Sequence, residues 1–115
     1  MASKQRDFDK FLLGSIDEAF SSLGASSKQS IYFHIEKNYK VSREDIPNCL
    51  PQFQEGLEKL FGIGARFIEI LIMKNLYSKI GHQFTMEKNE QLEFIKYIDA
   101  ARQSYVEGCK VSEEF

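Results

Sequence analysis

Between Gly64 and Ile80 the chain is apolar on nearly every side of a helix: Ala65, Phe67, Ile68, Ile70, Leu71, Ile72, Met73, Leu76, Tyr77 and Ile80. A helix of that kind has to be covered by its neighbours. Its longest apolar stretch, Phe67 to Met73, is interrupted by Glu69 and falls far short of a membrane span. The segment is therefore expected to be the central helix of a bundle, with part of it facing a second subunit if one small chain does not cover it. Gly62 and Gly64 punctuate the chain ahead of it and Gly81 closes it.

The rest of the chain supplies helices to surround that segment. Phe8, Phe11, Leu12, Ile16, Ala19, Phe20 and Leu23 fall on one helical stripe, with Asp7 placed to cap its start and Gly24 to stop it. Gly14 lies inside that pattern, where a glycine costs about 1 kcal/mol against alanine and suggests close approach by another helix. Ser26, with Gln29 three residues on, has capping-box spacing for a second helix whose inner row is Ile31, Ile35 and Tyr39, widened by Tyr32 and Phe33. Asn38 to Val41 reads as its exit. Ser42 to Asp45 reads as a capped single turn that Pro47 ends, and Pro51 suits the first position of a third helix carrying Phe53, Leu57, Leu60 and Phe61. A last helix is expected from near Thr85 to about Glu107, with Glu87 and Glu90 at the positive end of its dipole. Leu92, Phe94, Ile95, Ile98, Ala101 and Tyr105 form its inner face, and Gly108 ends it. The expectation is an all-α, single-domain bundle of about five helices over residues 8–108, with flexible ends at 1–7 and 109–115.

Composition narrows the class. One domain fits 115 residues, and two prolines with ten phenylalanines and five tyrosines favour helices around an aromatic core. A net charge of −2 sets up no general attraction for polyanions, so nucleic acid is not an expected partner. Lys28, Arg43, Lys74 and Lys79 remain the residues from which a local basic patch for DNA would have to gather. Cys49 and Cys109 lie apart without CxxC spacing and read as free thiols in a reducing cytoplasm. The first residues hold no apolar signal segment.

Candidate chemistry is thin, and neither metal nor cofactor is expected. His34 has no His, Cys or carboxylate three or four residues on, and His82 follows a helix-ending glycine; both read as structural or surface residues. No sequence neighbour activates either cysteine as a nucleophile. Glu69 is more informative, because an unpaired carboxylate is expensive to bury. It is expected to pair with Arg66, three residues earlier, or with a base from another helix or subunit, as a polar seam that sets helix docking. A proton-transfer carboxylate and a surface position are the other readings. Phe61 to Arg66 resembles an anion cradle but lacks the strand-before-helix context of a phosphate loop, so a tight inter-helix turn with close packing is expected to explain Gly62 and Gly64. Gly62, Gly64, Arg66, Phe67, Glu69, Ile70, Met73 and Tyr77 are thus the interface or packing candidates.

Several segments carry a resemblance: Ser15-Ile16-Asp17-Glu18-Ala19, Ile31-Tyr32-Phe33-His34-Ile35-Glu36, Asp45-Ile46-Pro47 and Phe53-Gln54-Glu55-Gly56-Leu57, then Leu60 through Glu69 and Leu76 through Gly81. Over residues 10–82 the chain resembles the small helical output domains of ammonia-oxidising archaea, the Nitrosopumilus output-domain type. The glycine turn is the most specific part, and the final helix lies outside it. The resemblance implies a domain at the receiving end of signalling proteins, of unknown biochemical activity, and it brings no catalytic or ligand residues. With no receiver or sensor module ahead of it, the domain is expected to be free-standing. The resulting expectation is a non-enzymatic interaction module that forms a homodimer through the Phe67–Tyr77 helix and binds a protein partner. A transcriptional regulator with a basic patch, or a small-molecule sensor with an apolar pocket, are the alternatives.

Overall fold

The computed structural model describes residues 2–81 and 93–113, with side chains over 6–81 and 93–106. Five α-helices make up the bundle: α1 (Ala2–Ser21), α2 (Ala25–Tyr39), α3 (Leu50–Phe61), α4 (Ala65–Lys79) and α5 (Phe94–Glu113). Two short 3₁₀ segments join them, Arg43–Asn48 between α2 and α3 and Gly62–Gly64 between α3 and α4. No strand occurs among the described residues.

The apolar stripes fold inward as their spacing dictates. Phe8, Leu12, Ile16, Ala19 and Phe20 of α1 are fully buried, facing Ile68, Ile72, Met73 and Leu76 of α4, and the α1–α4 contact is the most extensive in the molecule. Phe53 and Leu57 come from α3, and Phe94, Ile98 and Ala101 from α5. An aromatic chain runs through the middle: Tyr32 to Phe20 with ring centroids 5.1 Å apart, Phe20 to Phe53 at 6.2 Å, and Phe53 to Phe94 at 6.3 Å. Each such ring, taken wholly from water, contributes about 1.5–3 kcal/mol. α4 packs against α1, α3 and α5 but does not stand alone at the centre: α1 reaches α2, the first 3₁₀ segment, α4 and α5, and α4 leaves Phe67 exposed.

Several local signals are overridden. α1 begins at Ala2, so Asp7 lies within it rather than capping it. α2 begins at Ala25 with Gly24 in the cap position and no side-chain cap, so Ser26 and Gln29 do not form the expected box. Pro47 lies inside the first 3₁₀ segment instead of ending a turn, and its burial together with its neighbour Ile46 holds the segment in place. Ser42 there donates its hydroxyl to the Asp45 carboxylate at 2.9 Å rather than capping backbone. Glu93 lies outside helix and α5 starts at Phe94, then runs past Gly108 to Glu113. His82, Thr85, Glu87, Glu90 and Leu92 lie outside the described residues.

The close helix approach expected at Gly14 is not found there. A Cβ on Gly14 would meet only the Cε of Lys79, at an ordinary 3.8 Å, so no helix approaches closely there. The close approach is at Gly56 on α3, where a Cβ would lie 3.2 Å from Ile35 Cγ1 and 3.4 Å from the Tyr39 ring. Gly56 is what lets α2 and α3 lie together.

Candidate functional site

Two polar clusters sit between helices, and they are built differently. The first joins α1, α2 and the first 3₁₀ segment. Arg43 donates from Nε to Asp17 Oδ1 at 3.0 Å and from a terminal nitrogen to Oδ2, while the Tyr32 hydroxyl donates to Oδ1 at 2.6 Å. Burial pushes the Asp17 carboxyl up, but the bonds from Arg43 and Tyr32 and the charges of Arg43 and Lys28 outweigh it and hold the group below the usual range. Burial and the same carboxylate drive the Tyr32 hydroxyl far above its ordinary value. This is a satisfied cluster that fixes three elements.

The second is the corner where α3 turns into α4. Gly62 makes the turn with φ of 56° and ψ of −128°, a conformation costly for any residue with a Cβ. Nothing lies within 4 Å of a Cβ built there, and one on Gly64 would meet only Phe61 at 3.8 Å. Backbone angle, not the expected close packing, is therefore what demands glycine, and only at Gly62. The turn leaves Ile63 at its tip, 90% exposed, and Phe67 one helical turn further on, 72% exposed.

Beside them a cleft of about 570 Å³ opens between the helices, lined by Gln54 and Glu58 of α3, by Gly62 and Ile63, and by Ala65, Arg66 and Glu69 of α4. Glu69 is only 4% exposed, and its Oε2 has no hydrogen-bond partner. The expected Arg66–Glu69 ion pair is not formed: Arg66 is exposed, whereas Glu69 belongs to the buried side of α4. Burial, and next the charge of Glu58, push the Glu69 carboxyl up to about 7; the Gln54 side chain and the charge of Arg66 oppose the shift without cancelling it.

The remaining candidates separate. Ile70 is half-buried, and Met73 is wholly in the core. Tyr77 donates its hydroxyl to the Tyr97 carbonyl at 2.9 Å, bridging α4 to α5, and burial, with Tyr97 beside it, pushes that hydroxyl above its ordinary pKa. Of the four expected basic residues, Arg43 is held by Asp17 and Lys79 by Glu18. His34 is exposed, its ring 5.7 Å from that of Phe33, and Cys49 is a half-buried free thiol. No group of His, Cys, Asp and Glu suited to a metal ion occurs among the described residues. Nor is any helix among them long and apolar enough to cross a membrane.

Gln54, Glu58 and Ile63 were not among the sequence candidates. Ile63 carried a signal, an isoleucine between two glycines in a turn; Gln54 and Glu58, four apart on α3, carried none beyond a shared helix face. No family model, curated protein or solved structure matches the chain, so the resemblance to archaeal output domains rests on its motif residues alone.

Proposed function

We propose that this chain is a non-enzymatic protein-interaction module, a cytoplasmic signalling output domain of the archaeal type it resembles, which forms a homodimer and docks a protein partner. The observation that carries the reading is the pair Ile63 and Phe67, both apolar and mostly exposed, standing on the Gly62 turn and at the start of α4. Large apolar groups standing in water favour association, because docking removes their surface from solvent. The half-buried Ile70 and Leu71 extend the same strip along α4. A two-fold pairing of the strip is the simplest closed assembly. Light scattering at tens of micromolar tests it: a dimer is expected, reduced to monomer by Phe67→Ser with the helical content retained. A monomeric wild type at those concentrations sinks the homodimer.

A groove of about 640 Å³ supports the small-molecule sensor as a second reading. Leu23, Ile31, Leu60 and Phe61 give it apolar walls, and Ser26, Ser27, Ser30 and His34 complete it. The transcriptional alternative loses support from the ion pairs that occupy Arg43 and Lys79. Salt-dependent binding to duplex DNA would restore it.

A further inference from the structure

The α3–α4 cleft is acidic in balance. Among the side chains that line it, Glu58 and Glu69 carry carboxyls against the single guanidinium of Arg66. One of those carboxyls, Glu69, is almost wholly buried, yet its Oε2 receives no hydrogen bond. Buried polar atoms are nearly always satisfied, and one left over at the wall of a cleft marks a place where a donor belongs. Arg66 lines the same cleft but forms no ion pair with Glu69, and the Gln54 side chain, which bonds the carboxyl, leaves Oε2 without a partner.

We propose that this cleft receives the ammonium group of a lysine side chain from a partner polypeptide, held between the carboxylates of Glu69 and Glu58. The inference rests on the corner being a docking surface, and it names the chemistry of the partner. An ammonium suits the site better than a guanidinium. It is a compact charge with three donors that serve acceptors arriving from different directions, here two carboxylates on two helices. A guanidinium presents a planar fork matched to one carboxylate. The lysine stem has apolar wall to lie on at Ile63 and Ala65. The polypeptide source follows from Ile63 and Phe67: they offer apolar contact beside the cleft that a free amine leaves unused, and residues flanking the lysine cover them in a separated subunit, so that peptide and second copy compete for the strip.

Binding carries a proton balance. The groups that bear on Glu69 are Glu58 and Gln54 from α3 and Arg66 from its own helix; no charged group of α1 or α5 acts on it among the described residues. Below pH 7 the carboxyl holds its proton, and an incoming ammonium displaces that proton to solvent. Affinity therefore rises with pH up to the point where Glu69 is already ionised.

The probe is the capped tripeptide acetyl-leucyl-lysyl-leucyl amide, titrated into the full chain and followed by amide and carboxyl NMR. Its norleucine analogue and n-butylammonium serve as comparisons. Expected are shifts at the amides of residues 62–66 and at the Glu69 carboxyl, with affinity falling about tenfold from pH 8 to pH 6. The norleucine peptide should give no carboxyl shift. Glu69→Gln should bind weakly and without pH dependence, while keeping the helical content and the dimer of the wild type. Equal binding of lysine and norleucine peptides, or an unchanged pH profile in Glu69→Gln, overturns the proposal. Butylammonium binding as tightly as the peptide overturns the polypeptide source. Loss of the dimer in Phe67→Ser without any lysine response in the wild type would refute this inference and leave the docking corner standing.

Discussion

Asp17 and Glu69 are both carboxyls set between helices with an arginine in the neighbourhood, and they end in opposite states. Asp17 is gripped by Arg43 across two oxygens and by the Tyr32 hydroxyl, so it is held ionised. Glu69 has an arginine only three residues away, but that side chain is exposed while the acid faces inward, so it is held toward its neutral form. Proximity in sequence did not decide the outcome. The partner that succeeded comes from 26 residues away, brought in by the 3₁₀ segment after α2. A satisfied carboxyl is a joint of the fold, whereas an unsatisfied one at a cleft stores a cost that a ligand relieves.

The largest effect expected from this contrast is at Glu69. Its raised value means that the native state binds more protons than the unfolded chain between the ordinary glutamate value of 4.5 and about 7. The stability it allows is therefore complete below 4.5 and is lost as pH rises through 7. Glu69→Gln removes that loss, so the variant should be more stable than wild type by about 2–3 kcal/mol at pH 8 and indistinguishable at pH 4. Urea unfolding at the two pH values measures this, and a variant less stable at pH 8 would mean that the acid is a joint after all.

Asp17 has the reverse sign. A value held below the usual range gives stability that is present above the unfolded value and lost as pH falls through the native one. Asp17→Asn should cost about 1–2 kcal/mol at neutral pH, reduced by solvent screening because the Arg43 side chain is 38% exposed. The deficit should shrink as pH falls through the native value, to a pH acid enough that the wild-type carboxyl is itself neutral. A deficit that stays constant down to that pH would assign the effect to the Tyr32 hydrogen bond instead of the charge.

Sequence order explains why one cluster was foreseeable in part and the other not at all. The stripe of α1 and the enclosure of α4 were legible, because helical spacing alone places Phe8, Leu12, Ile16 and Phe20 on one side and leaves Ile68, Ile72 and Leu76 nowhere to go but inward. Glu69 stood out for the same reason, as an acid in an oily helix. The failure of its pairing with Arg66 was not legible, since spacing brings Cβ atoms near each other without saying which side of the helix another element covers. The Asp17–Tyr32–Arg43 cluster joins residues 15 and 26 positions apart and leaves no local pattern. Gly14 and Gly56 look alike in sequence, each inside a helix, and only packing shows that α2 leans on the second. Stop and cap signals at Ser26, Pro47 and Gly108 were overridden because capping and propensity terms of about 1 kcal/mol yield readily to tertiary contacts.

The smallest effect, and the one that sharpens the contrast most, is at Ile63. At 90% exposure its side chain has almost no buried contact to lose, so Ile63→Ser should change the unfolding free energy of the monomer by less than about 0.5 kcal/mol. The measurement belongs at protein concentrations low enough to separate the subunits. At higher concentration the wild type gains stability from association and the variant should not, so their unfolding midpoints diverge as concentration rises. A monomer destabilised by more than 1 kcal/mol would show that the isoleucine anchors the Gly62 turn. The corner would then be a structural joint of the same kind as the Asp17 cluster, and its exposed apolar groups would no longer argue for a surface kept free for binding.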